Sequence, residues 1–493
     1  MKILQTKKNT FQLISMIVIT LASQLLALYK SRFTAMNFGA TNYMDAYNFS
    51  LSIATFLFAF VTTGITTVII PAYVKKCDKS VVNSFITIIY SIVYILSFLI
   101  IVFRRPISII LTDRDSNFID IVSEFLIYVF LIQGITSFLA VTTAYYQCIN
   151  RFNTPKIILF FINLFITIIL ISGIINDFNQ YILLLLLGSV LNLIIDLSIV
   201  IKFGFRYRPE FKWKNKELKK LLIIFLPTVF SSGVYQLCSL VDTTLATNLG
   251  EGMSTILGYS SQILSMINTV IIGNLSVYIY PKIVKYVENK MNTKCFWDYS
   301  ILFHCCVLLI VTGYFIIGLE GISFIFGGGK FLEKDVYLLY ICSGIYIYGQ
   351  QFNIIRDLVY RYFYANSETK TTFTNSLIAS FSNIVISILL ISFLGIIGIV
   401  IGTVLSSLIS LIMIIIRFYN RFGFDINFKP ILFEWFKNNV VMILTIIIVT
   451  FIKSKFIISN GIAIIMVYGL LTIVVFTCLL KIFRSKIWSI RIE

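Results

Sequence analysis

Residues 372–394 read TFTNSLIASFSNIVISILLISFL, and residues 395–418 continue as GIIGIVIGTVLSSLISLIMIIIRF, with Arg417 as their only charged residue. Each segment is close to the roughly 20 apolar residues that a helix needs to cross about 30 Å of hydrocarbon. Main-chain N–H and C=O groups find no water inside a bilayer, so such segments form helices. The pair therefore predicts two consecutive transmembrane helices that meet at Gly395.

Apolar stretches of membrane-spanning length recur along the whole chain. They predict an all-α polytopic membrane protein with about fourteen transmembrane helices, at 11–36, 44–71, 80–103, 117–147, 155–175, 179–203, 218–247, 255–282, 297–319, 335–364, 372–394, 395–418, 436–452 and 462–483. Hydrophobic residues make up 58 % of the 493 residues and charged residues only 13 %. Because soluble domains carry about 25 % charged residues, this composition excludes an ordinary soluble protein.

Basic residues concentrate in every second gap between these stretches. Of the 40 Lys and Arg residues, 31 lie in the two tails or around the loops that follow even-numbered stretches. Cytoplasmic loops of membrane proteins are enriched in Lys and Arg, so both termini and the basic loops are predicted to be cytoplasmic. The formal net charge of +18 follows from this bias. It does not indicate a nucleic acid partner.

An internal repeat relates the first and seventh stretches. Asn37-Phe38-Gly39 and Pro71 have counterparts in Asn248-Leu249-Gly250 and Pro281, at offsets of 211 and 210 residues. Six stretches separate the copies, so both run the same way through the membrane, as in parallel transporter repeats. We therefore expect two pseudo-symmetric six-helix lobes. The predicted boundaries are 1–215 for the first lobe and its basic linker, 216–425 for the second lobe, and 426–493 for two additional helices.

Polar side chains share faces on the helices of the two repeated pairs. On the first stretch, Gln24, Lys30 and Ser31 lie within a sector about 120° wide, at about 100° per residue. Polar faces are also predicted on the second, seventh and eighth stretches, and they include Asp45, Asp242 and Gln262. Gln236 is a further candidate on the seventh stretch. A charge inside a bilayer is costly unless it is paired or hydrated, so the charged members are the strongest functional candidates. Small and polar residues also let helices pack closely, and this alternative stays open for the uncharged positions.

The sequence offers no pattern for catalysis, metal binding or nucleotide binding. Gly327-Gly328-Gly329-Lys330 lacks the first glycine and the final Ser or Thr of a phosphate-binding loop. The only histidine, His304, is expected to be packed inside a helix, and the eight cysteines show no C-x-x-C spacing. No enzyme activity, catalytic residue, metal or cofactor is therefore expected. A driving force for transport would then come from an ion gradient or the membrane potential.

Four groups of residues resemble the MurJ (MviN) family of lipid II flippases. They are Phe38-Gly39-Ala40-Thr41 with Asp45-Ala46-Tyr47, Asn150-Arg151-Phe152 with Pro155 and Asn163, Tyr235-Gln236 with Val241-Asp242, and Asp357-Leu358 with Arg361. The resemblance covers the first twelve stretches. It implies two six-helix lobes around a central cavity and movement of an undecaprenyl-diphosphate-linked sugar between leaflets by alternating access. At the positions where the family carries cavity arginines, this chain has Lys30 and otherwise Gln24, Phe58 and Gln262.

Together these features predict a flippase of the bacterial plasma membrane for a polyprenyl-diphosphate-linked cell-wall precursor, with lipid II as the first choice. Lys30 would attract the diphosphate, and Asp45 and Asp242 would pair with basic groups or couple a cation. Hydrogen bonds to phosphate or sugar would come from Gln24, Gln236 and Gln262, and Ser31 completes the predicted transport site. The expected partners are the lipid-linked oligosaccharide, membrane lipids and a coupling ion. A flippase for O-antigen or capsule repeat units is the closest alternative, followed by a multidrug antiporter, a membrane glycosyltransferase and a structural scaffold.

Overall fold

The structure is a computed structural model, and the part of the chain that it describes is all-helical apart from turns and one isolated β-bridge between Gly328 and Phe331. The described residues are 2–74, 78–269, 283–284, 287, 294–366, 368–423, 428–456 and 461–489. They form two compact units, Met1–Thr255 and Ile256–Glu493. The all-helical membrane class expected from the sequence is confirmed.

The first unit holds eight helices and the beginning of a ninth among its described residues. They are α1 (Lys2–Phe38), α2 (Asn42–Val74), α3 (Lys79–Val102), α4 (Arg104–Leu111), α5 (Ser116–Cys148), α6 (Thr154–Ile171), α7 (Phe178–Lys202), α8 (Lys216–Asn248) and the start of α9 (Met253–Ile267). Helix α2 packs along α5 and α8, and α1 packs along α6. The first unit therefore holds α2 of the first predicted lobe beside α8, which the sequence assigned to the second.

The second unit continues α9 and adds the remaining described helices. They are α10 (Lys294–Phe326), α11 (Glu333–Ala365), α12 (Thr369–Leu394), α13 (Ile396–Phe422), α14 (Lys429–Lys455), α15 (Gly461–Ile482) and a 3-10 turn at Lys486–Ser489. Aromatic rings fill its core, where Trp297 is fully buried with its ring centroid 5.2 Å from that of Phe418. Helix α10 packs against α11, α14 and α15, so the two C-terminal helices belong to this unit.

Among the described residues, fourteen helices overlap the fourteen predicted stretches, with α9 described only to Ile267, and α4 is a short additional helix outside them. Ten helices are long and apolar enough to span a membrane, judged over the described residues. The other four helices that overlap predicted stretches are α1, α8, α11 and α9, which is described over 15 residues, and three of these carry most of the predicted site residues. The lobe boundaries at 215 and 425 and the superposition of the lobes stay predictions, and Pro281 of the repeat lies outside the described residues.

The hairpin α12–α13 shows why the two stretches at 372–394 and 395–418 separate at Gly395. This residue has φ 57°, a left-handed conformation that glycine adopts without a steric penalty. A Cβ on Gly398 would lie 2.5 Å from the Leu390 carbonyl oxygen, and one on Gly402 would lie 2.5 Å from Ser387 Oγ. Two further glycines therefore allow the helices to approach closely, as is common in membranes.

The linker between α7 and α8, residues 203–215, folds back against α3. The main-chain N–H of Glu210 donates to Thr87 Oγ1 at 3.2 Å, and Thr87 Oγ1 lies 3.0 Å from the Tyr207 hydroxyl. The hydroxyl of Ser80 donates to the Glu210 carboxylate. The basic linker is thus tied to the first unit at several points.

Glu210 supplies the charged contact of the docked linker. The hydrogen bond from Ser80, together with the ammonium group of Lys212 at 3.6 Å, lowers the pKa of the Glu210 carboxyl below its ordinary value. A hydrogen bond to the ionised form and a nearby positive charge both favour the carboxylate. Glu210 is therefore charged at neutral pH and holds the linker on α3.

Candidate transport site

Lys30 lies in the C-terminal third of α1 and extends toward α6. Its Nζ donates a hydrogen bond to Asn163 Oδ1 at 3.1 Å, and its side chain is half-buried. The Asn163 amide nitrogen in turn donates to the Leu159 carbonyl oxygen at 3.0 Å, which fixes the orientation of the amide oxygen. A neutral amide satisfies one donor of the ammonium group but does not cancel its charge. Across the described residues, no carboxylate forms an ion pair with Lys30.

The contact of Lys30 belongs to a series of polar contacts along the α1–α6 interface. Lys156 Nζ donates to Thr20 Oγ1 at 3.0 Å, and the amide of Asn153 donates to Ser15 Oγ at 2.7 Å. The polar face of α1 is therefore partly explained by packing against α6. This interface was not predicted from the sequence, although the spacing of residues 153, 156 and 163 places them on one face of a helix.

Gln24 and Ser31 lie on the same helix as Lys30 but differ in their surroundings. Ser31 is buried, and its hydroxyl donates to the Ala27 carbonyl oxygen at 2.9 Å within α1. Gln24 is half-buried. One turn beyond Lys30, Thr34 Oγ1 donates to the Lys30 carbonyl oxygen at 3.0 Å. The Ser31 and Thr34 hydroxyls therefore donate to main-chain carbonyl oxygens within α1. Lys30 is the charged group on this face.

Asp45, near the start of α2, is fully buried and holds the N-terminus of α9. Its Oδ2 accepts the main-chain N–H of Gly252 at 2.6 Å, and its Oδ1 accepts the N–H and the hydroxyl of Thr255 at 2.8 and 2.7 Å. The first N–H groups of a helix lack partners within it and carry partial positive charge, so a carboxylate is well suited to this position. A Cβ on Gly252 would lie 3.1 Å from the Ala40 carbonyl oxygen, so glycine permits the close approach.

Further hydrogen bonds surround Asp45 at the same end of the first unit. Arg114 donates to Asn42 Oδ1 at 2.5 Å and to the Thr247 carbonyl oxygen at 3.1 Å. Thr112 Oγ1 donates to Asn248 Oδ1 at 2.8 Å. We call these residues, with Asp45, Gly252 and Thr255, the α2–α9 clamp. The clamp ties the start of α2 and the α4–α5 loop to the segment between α8 and α9.

Helix α8 carries Gln236, which is half-buried, and Asp242, which is 8 % exposed. Helix α2 packs against α8 so closely that a Cβ on Gly233 would lie 2.3 Å from Phe60 Cε1. Asp242 itself is buried rather than exposed on the lipid-facing surface. Lys30 donates to Asn163 and not to Asp242, so the two charged candidates have different neighbours.

The remaining candidate positions fall in different surroundings. Gln262 lies on α9 in the second unit and is half-buried. Phe58, at a position where the family carries an arginine, is 2 % exposed, with its ring 6.0 Å from that of Phe130. This position is therefore part of the apolar core of the first unit. His304 is also a core residue, with Nε2 3.2 Å from Gln351 Oε1.

Metal-binding and disulfide chemistry find no support in the described part of the chain. No group of three or more His, Cys, Asp or Glu side chains there could hold a metal ion. The six cysteines whose side chains the structure describes are free thiols, and three of them are buried in helices. What the first unit does hold is a buried carboxylate clamp at one end and a lysine whose positive charge is not neutralised by a carboxylate.

Comparison with known proteins points to one family. The family model described as "Lipid II flippase MurJ" matches residues 34–479. A probable lipid II flippase MurJ of Thermotoga maritima is 23 % identical over 478 residues, which cover 94 % of this chain and 95 % of that protein. A solved structure of lipid II flippase MurJ in an inward closed conformation gives a TM-score of 0.80 at 19 % identity, covering 97 % of this chain and 100 % of that one.

A more distant likeness connects the fold to drug transporters. An inward-facing multidrug resistance MATE family transporter of the MOP superfamily gives a TM-score of 0.63 at 12 % identity, covering 82 % of this chain and 98 % of that one. Likeness at this level of identity concerns the fold alone.

Proposed function

Because the chain belongs to the lipid II flippase MurJ family, we propose that it moves lipid II from the inner to the outer leaflet of the bacterial plasma membrane for peptidoglycan synthesis. The observation that carries this proposal is the family match over residues 34–479, which spans both predicted lobes. The protein is a transporter and not an enzyme. Its cargo is an undecaprenyl-diphosphate-linked precursor, and the protein moves this cargo by alternating access.

Lys30 supplies the positive charge for the diphosphate. Its hydrogen bond to Asn163 leaves two ammonium donors and the full charge for an anion. Positive charge within a membrane helix is costly, and a passing diphosphate would stabilise it. Gln24, Gln236 and Gln262 supply neutral donors and acceptors for phosphate or sugar. Ser31, whose hydroxyl already donates within α1, supplies at most an acceptor.

The α2–α9 clamp would close the outer side of the transporter. It lies at the α1–α2 and α8–α9 loops, which follow odd-numbered stretches and carry few basic residues, so the positive-inside bias puts it outside the cytoplasm. Helix α2 belongs to the first predicted lobe and α9 to the second. Opening toward the outer leaflet would therefore break the three hydrogen bonds of Asp45.

Asp242 is the candidate for ion coupling. It is a buried carboxyl on α8, at nearly the place in the second repeat that Lys30 occupies in the first. A buried carboxylate is stable only when a cation or a hydrogen-bond donor accompanies it. Binding of a coupling ion, or movement of this charge in the membrane potential, would drive the cycle. Both termini would lie in the cytoplasm.

A second candidate substrate is a polysaccharide repeat unit on the same polyprenyl-diphosphate carrier. The replacement of cavity arginines by Gln24, Phe58 and Gln262 favours it, because fewer fixed charges surround the cargo. The two substrates share the diphosphate that Lys30 would recognise. They differ in the sugar and peptide that follow it.

Complementation separates these substrates. The gene is expressed in a bacterium depleted of its own MurJ, and separately in a strain that lacks its capsule or O-antigen flippase. Growth and normal cell shape in the first strain support lipid II as cargo. Restored surface polysaccharide in the second strain alone would assign the protein to repeat units, and rescue of neither by a protein abundant in the membrane would contradict both substrates.

A further inference from the structure

A cleft of about 820 Å³ lies where α14 begins and α15 ends in the second unit. We call it the C-terminal cleft. Its walls include Phe433, Glu434, Lys437, Lys481, Arg484 and Trp488. None of these residues belongs to the transport site, and both helices follow the twelve that form the predicted lobes.

A buried carboxylate organises the inner wall of this cleft. Glu434 is 7 % exposed, and its Oε1 accepts from Lys437 Nζ at 2.5 Å. Its Oε2 accepts the Ser485 hydroxyl at 3.2 Å and the main-chain N–H of Lys486 at 3.1 Å. Lys486 Nζ in turn lies 2.6 Å from Asp298 Oδ1 on α10. The segment after α15 is therefore fixed against α14 by several polar contacts.

Two of the four basic side chains in the cleft are paired with a carboxylate, and the other two are not, judged over the described residues. Glu434 neutralises Lys437, and Asp298 neutralises Lys486. Lys481 and Arg484 are exposed, and neither forms an ion pair with any residue that the structure describes. The cleft thus carries a net positive charge at its outer wall, next to fixed and satisfied inner contacts.

The backbone holds Arg484 in an unusual conformation that aims the chain back over α14. Its φ is 48°, in the left-handed region that costs a non-glycine residue about 1–3 kcal/mol. The following Ser485 N–H donates to the Leu480 carbonyl oxygen at 2.9 Å, which ends α15. The strained residue is therefore Arg484 itself, one of the two basic residues without an ion-pair partner among the described residues.

Exposed aromatic and apolar side chains border the cleft. Phe433 is 60 % exposed and Trp488 is 61 % exposed, while Ile482, next to the free Lys481, is 71 % exposed. Trp is enriched at membrane–water interfaces, where its ring contacts lipid and its N–H contacts water. A soluble anion would use the charges alone, whereas a ligand with a phosphate and an apolar body would use both surfaces.

We propose that the C-terminal cleft binds an anionic phospholipid by its headgroup. Lys481 and Arg484 contact the phosphate, and Phe433 and Trp488 pack against the glycerol and upper acyl chains. Basic pockets between transmembrane helices are suited to such headgroups. The lipid is a resident of the membrane and not the cargo, so this site lies beyond the proposed flippase activity and does not depend on it.

The test uses the full-length protein in phosphatidylcholine vesicles that contain brominated phosphatidylglycerol, which quenches nearby tryptophan. The Trp488 signal is the fluorescence of the wild type minus that of Trp488→Phe. Brominated phosphatidylcholine at the same mole fraction reports contact with bulk lipid. We expect phosphatidylglycerol to quench Trp488 more strongly than phosphatidylcholine does.

Removal of the two free charges, Lys481→Gln with Arg484→Gln, should weaken the apparent affinity for phosphatidylglycerol about thirtyfold. The matched control, Lys219→Gln with Lys220→Gln, removes two exposed basic residues of the linker end of α8 and should retain wild-type quenching. The charge-preserving exchange Lys481→Arg with Arg484→Lys should restore quenching and shows that the segment still folds.

Two results would overturn the proposal. Equal quenching of Trp488 by the two brominated lipids would mean that the cleft only touches bulk membrane. An equal loss in the Lys219 and Lys220 control would mean that diffuse surface charge attracts the lipid. No cargo takes part in this measurement, so its failure leaves the flippase proposal intact, and failure of the complementation experiment leaves the lipid site intact.

Discussion

Asp45 Oδ1 accepts both the main-chain N–H and the hydroxyl of Thr255, at 2.8 and 2.7 Å, across 210 residues of sequence. One carboxylate oxygen thereby satisfies two donors at the start of α9. The other oxygen accepts the Gly252 N–H at 2.6 Å. Because all these groups are buried, loss of the carboxylate would leave several donors without partners.

We expect Asp45→Ala to lower the free energy of unfolding by roughly 3 kcal/mol, since buried donors left unpaired cost about 1–3 kcal/mol each. Thr255→Val removes only the hydroxyl donor and should cost about 1 kcal/mol. The measurement is thermal and denaturant unfolding of the purified protein, together with growth in the depleted strain. Asp45→Ala should also lose transport because the outer closure fails.

The control for this prediction is Asp120→Asn, which disrupts an ion pair with Arg105 that is more than half exposed on both sides and 3.2 Å long. Exposed ion pairs contribute about 0–1 kcal/mol, so this variant should behave like the wild type. An Asp45→Ala protein as stable and active as the Asp120→Asn protein would show that the clamp has no role.

Lys30→Arg should retain transport, whereas Lys30→Met should lose it without loss of membrane abundance, because the diphosphate needs a positive charge at this point of α1. Lys156→Met is the matched control, since it removes a lysine from the same α1–α6 interface, where Lys156 contacts Thr20. Growth of the depleted strain and the amount of protein in the membrane are the readouts. Transport by Lys30→Met equal to that of the control would remove Lys30 from the mechanism.

The partner of Lys30 allows a sharper form of this experiment. Asn163→Leu removes the amide that accepts from Lys30, and we expect it to weaken transport less than Lys30→Met does, since the charge remains. The charge exchange Lys30→Asp with Asp242→Lys should not restore function, because Lys30 bonds to Asn163. Restoration by that exchange would instead identify Asp242 as the functional partner.

Topology can be tested by cysteine labelling in a cysteine-free background. A cysteine at position 212, in the docked linker, should escape a membrane-impermeant maleimide applied to intact cells, and one at position 330 should react. Both lysines at these positions are exposed, so accessibility is not limited by burial. Lysed cells provide the control, in which both positions should react. Labelling of position 212 in intact cells would contradict the predicted orientation.

The docking of the linker should depend on pH through Glu210. The lowered pKa of this carboxyl means that docking is stabilised fully above the ordinary glutamate pKa of about 4.3. The stabilisation is lost as the pH falls through the lower value of the docked state. The protection factors of residues 206–214, which correct for the intrinsic pH dependence of amide exchange, should therefore fall at acidic pH in the wild type. Glu210→Gln should show the faster exchange already at neutral pH, and an unchanged profile in this variant would refute the role of Glu210.

Local patterns were sufficient for the helices because the bilayer restricts the possible structures. Length and apolar content placed α12 and α13 within three or four residues of their observed ends, with Gly395 at the turn between them. Their glycines at 398 and 402 also fit a close helix pair, although the partner atoms, Leu390 O and Ser387 Oγ, required coordinates.

The polar sites were only partly predictable. Periodicity placed Gln24, Lys30 and Ser31 on one face of α1, but it could not distinguish a face toward a cavity from a face toward α6. Asp45 was identified as a costly charge, but its partners are mainly main-chain N–H groups, which have no signature in a sequence. Phe58 aligned with a family arginine, and only packing shows that it lies in the apolar core.

The sequence by itself determined the membrane class, the positions of most long helices and the family, and it predicts which side of the membrane holds the basic loops. The membrane class, the helices and the predicted sidedness depend on the length of apolar segments and on the charges beside them, and both are local properties of the sequence. Only the tertiary structure decided that Lys30 meets Asn163, that Asp45 holds the start of α9, and that Glu434 organises the C-terminal cleft. Each of these contacts joins groups that are distant in sequence, and helix packing, not local pattern, selects which of them meet.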